Sequence, residues 1–415
     1  MTLTLQQIWE RYSEIDFVRR IDVCRIDVNG VYENDGLGNL TWTNINDLVG
    51  SRVTPMDVCK DINRQIPDDT YSFGAVTIDN ADLLFENPHG EVSDESNINS
   101  IFYGFVRHNS MIRVVDGYMD KYTDPTLPVL VTETTFEGFI DDKQCETTFD
   151  DQETIVVVDK LVSLLQSYTK SDLGLSGSYN SATLIYTIMN RSEFTDFFTV
   201  NVLNINPGWT FPIFDMDQYE GQTQILTIMQ DLALSHSLFY LDNNVFYFSA
   251  YQASAVVDID FGTSPERKIK FKNYNSGAKR VFDRIYWETG NAEYNHPQRV
   301  YKEGMSFNIK GVTVQADQQD YLNFIGPSLG TKKALFELTI PFLPTMKFLM
   351  RASVTREGVI LPDSFLLDVS QLDVAQLVDP TGAIIINSSV NWIVRGIKHT
   401  KKLETILTLE KIVNP

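Results

Sequence analysis

The sequence predicts a mainly β protein with an α+β insertion: two antiparallel β-barrel-like domains flanking a mixed α+β domain. Three observations lead there. Short, turn-bounded runs alternate apolar and polar residues with period two in residues 16–150, and again in 256–415. Between them the apolar period shifts to 3.6 residues. The charge divides along the same lines: residues 1–260 carry 14 Lys+Arg against 40 Asp+Glu, whereas residues 261–415 carry 20 against 15. Residues 1–15 form an N-terminal helix or arm, 16–150 the first β domain, 151–255 the α+β domain and 256–415 the second β domain.

Each element has a local reason. Leu3, Ile8 and Trp9 give residues 3–12 a short helical face. In Asp16 to Val28, Ile21, Val23, Ile26 and Val28 alternate as in a half-buried strand. Asn34, Asp35, Gly36 and Gly38 then supply the left-handed conformations of a hairpin loop. Further strands are expected at Phe73–Asp79, Ser100–Val106, Met111–Val115 and Val129–Ile140. In the last, Val129, Val131, Glu133, Thr135, Glu137 and Phe139 are expected on one face and the intervening residues on the other.

The acidic stretch 141–153 reads as a solvated connection. Beyond it Ile155, Val158, Leu161, Val162 and Leu165 fit helix spacing. Residues 173–181 read as a Gly/Ser loop, and Ala182–Asn190 as a helix with Leu184, Ile185, Ile188 and Met189 inward. The helix opened by Gly221-Gln222-Thr223 buries Ile225, Ile228, Met229 and Leu232. Asp242-Asn243-Asn244 joins Phe239–Leu241 to Val245–Tyr251 as a hairpin. Strands are expected at Lys268–Lys272, Val281–Glu288, Ala334–Ile340, Lys347–Val354 and Phe365–Val369, with one helix at Asp317–Ile325. Trp392 to Val413 forms a closing hairpin with its turn at His399–Lys402.

Composition excludes several function classes. The chain has 415 residues, 43% of them hydrophobic, so the core needs no disulfide or metal staple. A net charge of −21 is the wrong sign for wrapping DNA by phosphate neutralisation. The N-terminus lacks the basic start and apolar stretch of a secretory signal, and no run of 18 apolar residues occurs, so a protein made in a cytosol is expected. Cys24, Cys59 and Cys145 are widely spaced and form no Cys-x-x-Cys pair; they read as reduced thiols.

No catalytic, cofactor-binding or metal-ligating residue is predicted, and no enzyme. There is no Walker loop, no Gly-x-Gly-x-x-Gly after a strand, no Gly-x-Ser-x-Gly elbow and no His-x-x-x-His pair. The histidines at 89, 108, 236, 296 and 399 are far apart; His236 reads as a core or helix-end residue, and His108 and His399 as exposed turn residues. The acidic pairs Asp68-Asp69, Asp141-Asp142, Asp150-Asp151 and Asp215-x-Asp217 read as solvated surface, since none has the spacing of a calcium loop. The 25 Phe, 18 Tyr and 5 Trp fall mostly at alternating strand positions, which points to core packing.

Three segments carry a resemblance. The first β unit closes on FEGFI (Phe136–Ile140) and a polar link into a helix. Gly221–Tyr251 places a helix beside an aromatic hairpin. WIVRGIKHTKKLETILTLEKIV (Trp392–Val413) ends the second β unit. Together they resemble the baseplate hub proteins of tailed bacteriophages, whose fold is shared by the hub part of type VI secretion spikes. The resemblance implies a homotrimeric structural virion protein at the tail tip or baseplate, synthesised in the host cytoplasm. Two similar barrels per subunit would make a pseudo-sixfold ring that adapts a sixfold tail tube to a threefold tip. The implied partners are the tail tube or distal tail protein, a tip, spike or fibre protein, and viral DNA passing through without specific binding. No active-site residue or cofactor comes with the family. The alternatives are a hexameric distal tail protein or a carbohydrate- or receptor-binding tail adhesin. An acidic channel wall would let DNA slide without sticking, and the charge of residues 1–260 is compatible with one.

Overall fold

The computed structural model describes residues 3–11, 16–37, 39–49, 59–65, 80–86, 98–99, 102–121, 123, 126–144, 152–256, 258–261, 270–275, 281–297, 304–329, 335–353, 377–378, 384–385, 391–400 and 402–411. Helix α1 (Leu5–Arg11) precedes β1 (Asp16–Cys24), β2 (Trp42–Asn44), the single turn α2 (Ile45–Val49), β3 (Cys59–Gln65), β4 (Asn80–Glu86), β5 (Met111–Asp120) and β6 (Val129–Gln144). Strand β7 (Gln152–Asp159) runs directly into α3 (Lys160–Ser167). Next come β8 (Ser178–Tyr179), α4 (Ser181–Met189), α5 (Ser192–Thr195), β9 (Thr199–Asn206), β10 (Phe214–Asp215), α6 (Ile225–Ala233), β11 (Ser237–Asp242) and β12 (Val245–Ala250). The last stretch holds β13 (Ile259–Asp260), β14 (Lys270–Asn275), β15 (Arg284–Trp287), β16 (Glu293–Asn295), β17 (Gly304–Phe307), α7 (Gln315–Leu329), β18 (Leu335–Pro341), β19 (Arg351–Ser353), β20 (Leu377–Val378), β21 (Ile384–Ile385), β22 (Asn391–Thr400) and β23 (Glu404–Lys411).

The fold class is the one the sequence predicts: mainly β, with two curled half-barrels and a few helices. Among the described residues, one sheet runs β14-β18-β23-β22-β3-β4-β7-β6-β5-β1-β2, with β13 and β19 attached beside β22. Its two halves join where β22 pairs antiparallel with β3, Gly396 opposite Gln65 and Thr400 opposite Asp61. One curl encloses Ile21, Val23, Ile112, Val114, Phe136, Ile140, Ile155 and Val157. The other encloses Leu338, Ile340, Val394, Ile397, Leu407 and Leu409, lidded by Leu5, Ile8 and Trp9 of α1. A third core forms under α3, α4, α6 and α7.

Three adjacent strands tie these cores together. Strand β5 puts Met111 in the helical core, Ile112 and Val114 in the first curl, and Tyr118 in the second. Strand β1 does the same with Cys24, then Ile21 and Val23, then Phe17. Strand β6 does so with Phe139, then Phe136 and Ile140, then Val131. Each fully buried side chain of this kind contributes roughly 1.5–3 kcal/mol, so this ribbon couples the cores more strongly than surface ion pairs could. Gly138 is required on it, because a Cβ there would sit 2.2 Å from the Val158 carbonyl oxygen of β7.

Several local expectations are corrected. Phe102–Val106 is not a strand but a tight turn, closed by the Val106 N–H on the Phe102 carbonyl (3.1 Å). Gly104, at φ 78°, breaks the extended run and lets Phe102 and Val106 bury side by side. Ile155 and Val158 lie on β7, not on a helix; Asp159 ends the strand and caps α3 by accepting the Leu161 N–H at 2.7 Å. The stretch 141–153 is partly strand, since β6 reaches Gln144 and β7 begins at Gln152. The faces of β6 do not alternate throughout. A bulge opposite Val114/Val115 brings Thr135 and Phe136 inward as neighbours, while Phe139 and Ile140 keep the expected opposite faces. Of the strand expected at Lys347–Val354, residues 347–350 are not strand, with a turn at 348–349; Arg351–Ser353 is strand, and Val354 lies outside the described residues. The strands expected at Phe73–Asp79 and Phe365–Val369 lie outside the described residues.

Candidate functional site

Among the described residues, the histidines and acids singled out in the sequence do not converge. His399 is buried, not exposed: it lies on β22 before the turn, with its Nδ1 3.1 Å from Thr405 Oγ1 and its ring against Phe342. His108 is exposed, its Nδ1 2.9 Å from the Asp141 carbonyl oxygen. His236 sits just past α6 at φ 61°, half-buried between Tyr251 and Phe324, a helix-end position as expected. Asp215 accepts the Asp217 N–H (3.0 Å) and the Gln218 side-chain amide (2.8 Å), while Asp217 accepts the Gly177 N–H (3.0 Å). Both hold a turn. Burial pushes the free Cys24 thiol up to about 11. Cys145, His89, Asp68 and Asp69 lie outside the described residues. Among the described residues, no group of three or more His, Cys, Asp or Glu is placed to hold a metal ion, and no helix is long and apolar enough to cross a membrane.

The polar chemistry that the fold does bring together lies at the junctions between its cores. Where the β1–β5–β6 ribbon passes from the first curl to the second, Arg19 and Asp116 are opposite each other. Arg19 Nε and Nη2 donate to the two Asp116 oxygens at 2.7 and 3.1 Å, and the bulged Thr135 donates to Oδ2 at 2.7 Å. The guanidinium also lies over the rings of Phe17 and Phe342. Nearby, Arg20 and Arg113 both reach Asp22, at 2.9 and 2.8 Å, and Arg113 stacks on Trp42.

A second junction docks the α+β segment on the ribbon. Lys160, the first residue of α3, is buried; its ammonium donates to Glu137 of β6, to Asn244 Oδ1 and, at 2.9 Å, to the Phe197 carbonyl. Asn243 and Asn244, at φ 46° and 62°, form the tight turn of the β11–β12 hairpin, the conformation expected from their chemistry. Asn243 also donates to Glu133 (3.0 Å), and Lys347 donates to Asp242 (2.7 Å). Burial works against the Lys347 charge, but the Asp242 hydrogen bond and the charges of Asp242 and Glu133 hold its ammonium above the ordinary lysine range. Four separated lengths of chain therefore meet at one hairpin tip.

Within the helical core, Tyr219 donates to Asp231 at 2.6 Å, and Lys310 lies over the Tyr219 ring. Burial pushes the Asp231 carboxyl above the ordinary range, against the lowering effect of Tyr219 and Lys310. These groups are paired structural contacts. The sequence reading missed Arg19, Asp116 and Lys160. The available signal was a charged residue at an inward strand position, and a lysine following Asp159 at a helix start.

No family model matches the chain, and no curated protein does. Solved structures do. The tail protein from Neisseria meningitidis MC58 matches at 9% identity over 95% of this chain and 96% of its own, with a TM-score of 0.50. The prophage MuSo2 43 kDa tail protein from Shewanella oneidensis matches at 11% identity over 95% and 98%, with a TM-score of 0.47. The half-lidded Francisella PdpA-VgrG complex matches at 11% identity over 95% of this chain and 58% of its chain, with a TM-score of 0.45. This chain thus shares its fold with the Neisseria tail protein over 95% of its length, in line with the hub-like fold that its sequence resembles.

Proposed function

We propose that this protein is a structural component of a bacteriophage tail: the trimeric hub at the tail tip or baseplate, without enzymatic activity. The observation that carries the reading is the end-to-end likeness, over 95% of this chain and 96% of the other, to a tail protein of the same size and fold. In this reading residues 16–150 and 256–415 are two barrel domains per subunit, and 151–255 is the peripheral domain between them. Three subunits then present six barrels, which adapts a sixfold tail tube above to a threefold tip below. The neighbours are a tube or distal tail protein on one side and a tip, spike or fibre protein on the other. DNA passes through the ring without specific binding, consistent with the acidic balance of residues 1–260. The protein is made in the host cytoplasm and ends in the virion.

Two features support a rigid adapter. The cores share a continuous three-strand ribbon, and the junctions are fixed by buried charged groups with hydrogen-bonded partners. The test is the native mass of the purified full chain by native mass spectrometry. A trimer of the 47.3 kDa chain is expected. A hexamer would overturn the threefold reading in favour of a distal tail ring. A strict monomer that binds glycans would overturn it in favour of an adhesin.

A further inference from the structure

The segment between β1 and β2 is a built arm. Its backbone repeats every eight residues: the Glu33 N–H donates to the Arg25 carbonyl and the Thr41 N–H to the Glu33 carbonyl, both at 2.9 Å. Two five-residue loops close the turns with the same hydrogen bonds. The Asp27 N–H donates to the Val31 carbonyl at 2.9 Å, and Asp27 Oδ1 accepts the N–H groups of Asn29 and Val31, both at 2.8 Å. The Asp35 N–H donates to the Asn39 carbonyl at 2.9 Å, and Asp35 Oδ1 accepts the N–H groups of Leu37 (2.8 Å) and Asn39 (3.1 Å). The base is clamped. The Ile26 N–H reaches the Gly104 carbonyl (2.8 Å), the Tyr32 hydroxyl reaches the Asn109 carbonyl (2.7 Å), and the Tyr32 ring packs on Phe139 and Phe197.

This rigid arm points apolar side chains into solvent. Val28 is 69% exposed, Val31 58% and Leu37 87%. They are three of the twelve large exposed apolar residues among those described, gathered within ten positions. Loops closed this way present their side chains with little further ordering entropy to lose on binding. Around them the arm is acidic: Asp27, Glu33 and Asp35 are exposed against Arg25 alone. A second arm, or any other acidic surface within residues 1–260, would repel it. The 256–415 unit has the complementary sign, with 20 Lys+Arg against 17 Asp+Glu.

We propose that residues 25–41 form a docking arm that seats Val28, Val31 and Leu37 on the C-terminal β unit of a second copy of this chain. The contact is head-to-tail, the kind that closes into a ring, and it rests on the ring-assembly reading above. Three side chains make an anchor within a wider interface, not the whole of it.

The test uses the full chain with p-benzoylphenylalanine at position 37, and separately the double variant Val31→Asp/Leu37→Asp. Photo-cross-links are expected between position 37 and residues 261–415 of another copy. At the concentration where the wild type is a ring, the double variant is expected to associate at least tenfold more weakly with an unchanged unfolding midpoint. A trimer that gives no such cross-links, or a double variant that assembles like wild type, overturns the arm contact and leaves the hub standing. A hexamer that gives them overturns the threefold reading and supports the arm. A monomeric wild type without cross-links overturns both.

Discussion

Arg19 and Asp116 are directly opposite each other on β1 and β5, joined by two hydrogen bonds of 2.7 and 3.1 Å and closed off from solvent. The pair sits where the ribbon leaves one core for the next. A buried ion pair is a weak source of net stability, because desolvation offsets most of the attraction. Removing one partner is different. Arg19→Met leaves Asp116 charged with only Thr135 to answer it, so a loss of roughly 3–5 kcal/mol is expected in urea unfolding. Replacing both, as Arg19→Met with Asp116→Leu, should recover most of that. A single variant within 1 kcal/mol of wild type would mean that the pair is not desolvated.

Lys160 makes the parallel case for docking of the α+β segment. Its side chain is 1% exposed and its three acceptors come from β6, the loop after α5 and the β11–β12 turn. Lys160→Met should destabilise by roughly 3 kcal/mol and speed amide exchange around Asn244. Lys347, with a side chain 39% exposed, is the control: Lys347→Met should change stability by less than about 1 kcal/mol. Equal losses from the two would refute the role assigned to burial.

Asp231 predicts a pH dependence. Its folded carboxyl is raised above the ordinary range, chiefly by burial. A raised group stabilises fully below its unfolded pKa, and that contribution is lost as pH rises through the folded value. At neutral pH the charged form therefore opposes folding. Asp231→Asn keeps an acceptor for Tyr219 and should melt higher than wild type at pH 7, the gap narrowing as pH falls toward about 4. A gap that widens on acidification would reverse the sign of this argument.

The last hairpin is where the two curls meet. Strand β22 pairs with β3 on one side and β23 on the other, and β23 pairs with β18. Deleting residues 392–415 removes both strands, cuts the sheet in two and opens the edges of β3 and β18. The truncated chain is expected to aggregate on purification. Size-exclusion chromatography showing a folded, assembling product would contradict that account of closure.

Much of this was legible locally. Asp242-Asn243-Asn244 announced a tight hairpin because both asparagines tolerate the left-handed region, and both occupy it. Ile225, Ile228, Met229 and Leu232 announced a buried helical stripe, and all four are fully buried. Where reading failed, the signal was degenerate. Ile155 and Val158 satisfy a helix, yet with Val157 they sit on a strand, and only the edges offered by β4 and β6 decide between the two. His399 looked like a turn residue because the polar run His399–Lys402 does not show where the strand ends.

The sequence by itself determined the periods, the turns and the charge balance, and from these the mainly β class with helices in the middle. These are properties of residues a few positions apart, which local sterics and the need to hide apolar groups from water impose directly. Only the tertiary structure decided which core each strand residue enters. Met111, Ile112 and Tyr118 lie on one strand within eight positions, yet they enter three different cores. Burial in the hydrophobic effect is non-directional, so it specifies that a side chain leaves water but not which neighbours receive it. Pairings such as Arg19 with Asp116, 97 residues apart, follow from strand register, and register is fixed by the assembled sheet as a whole.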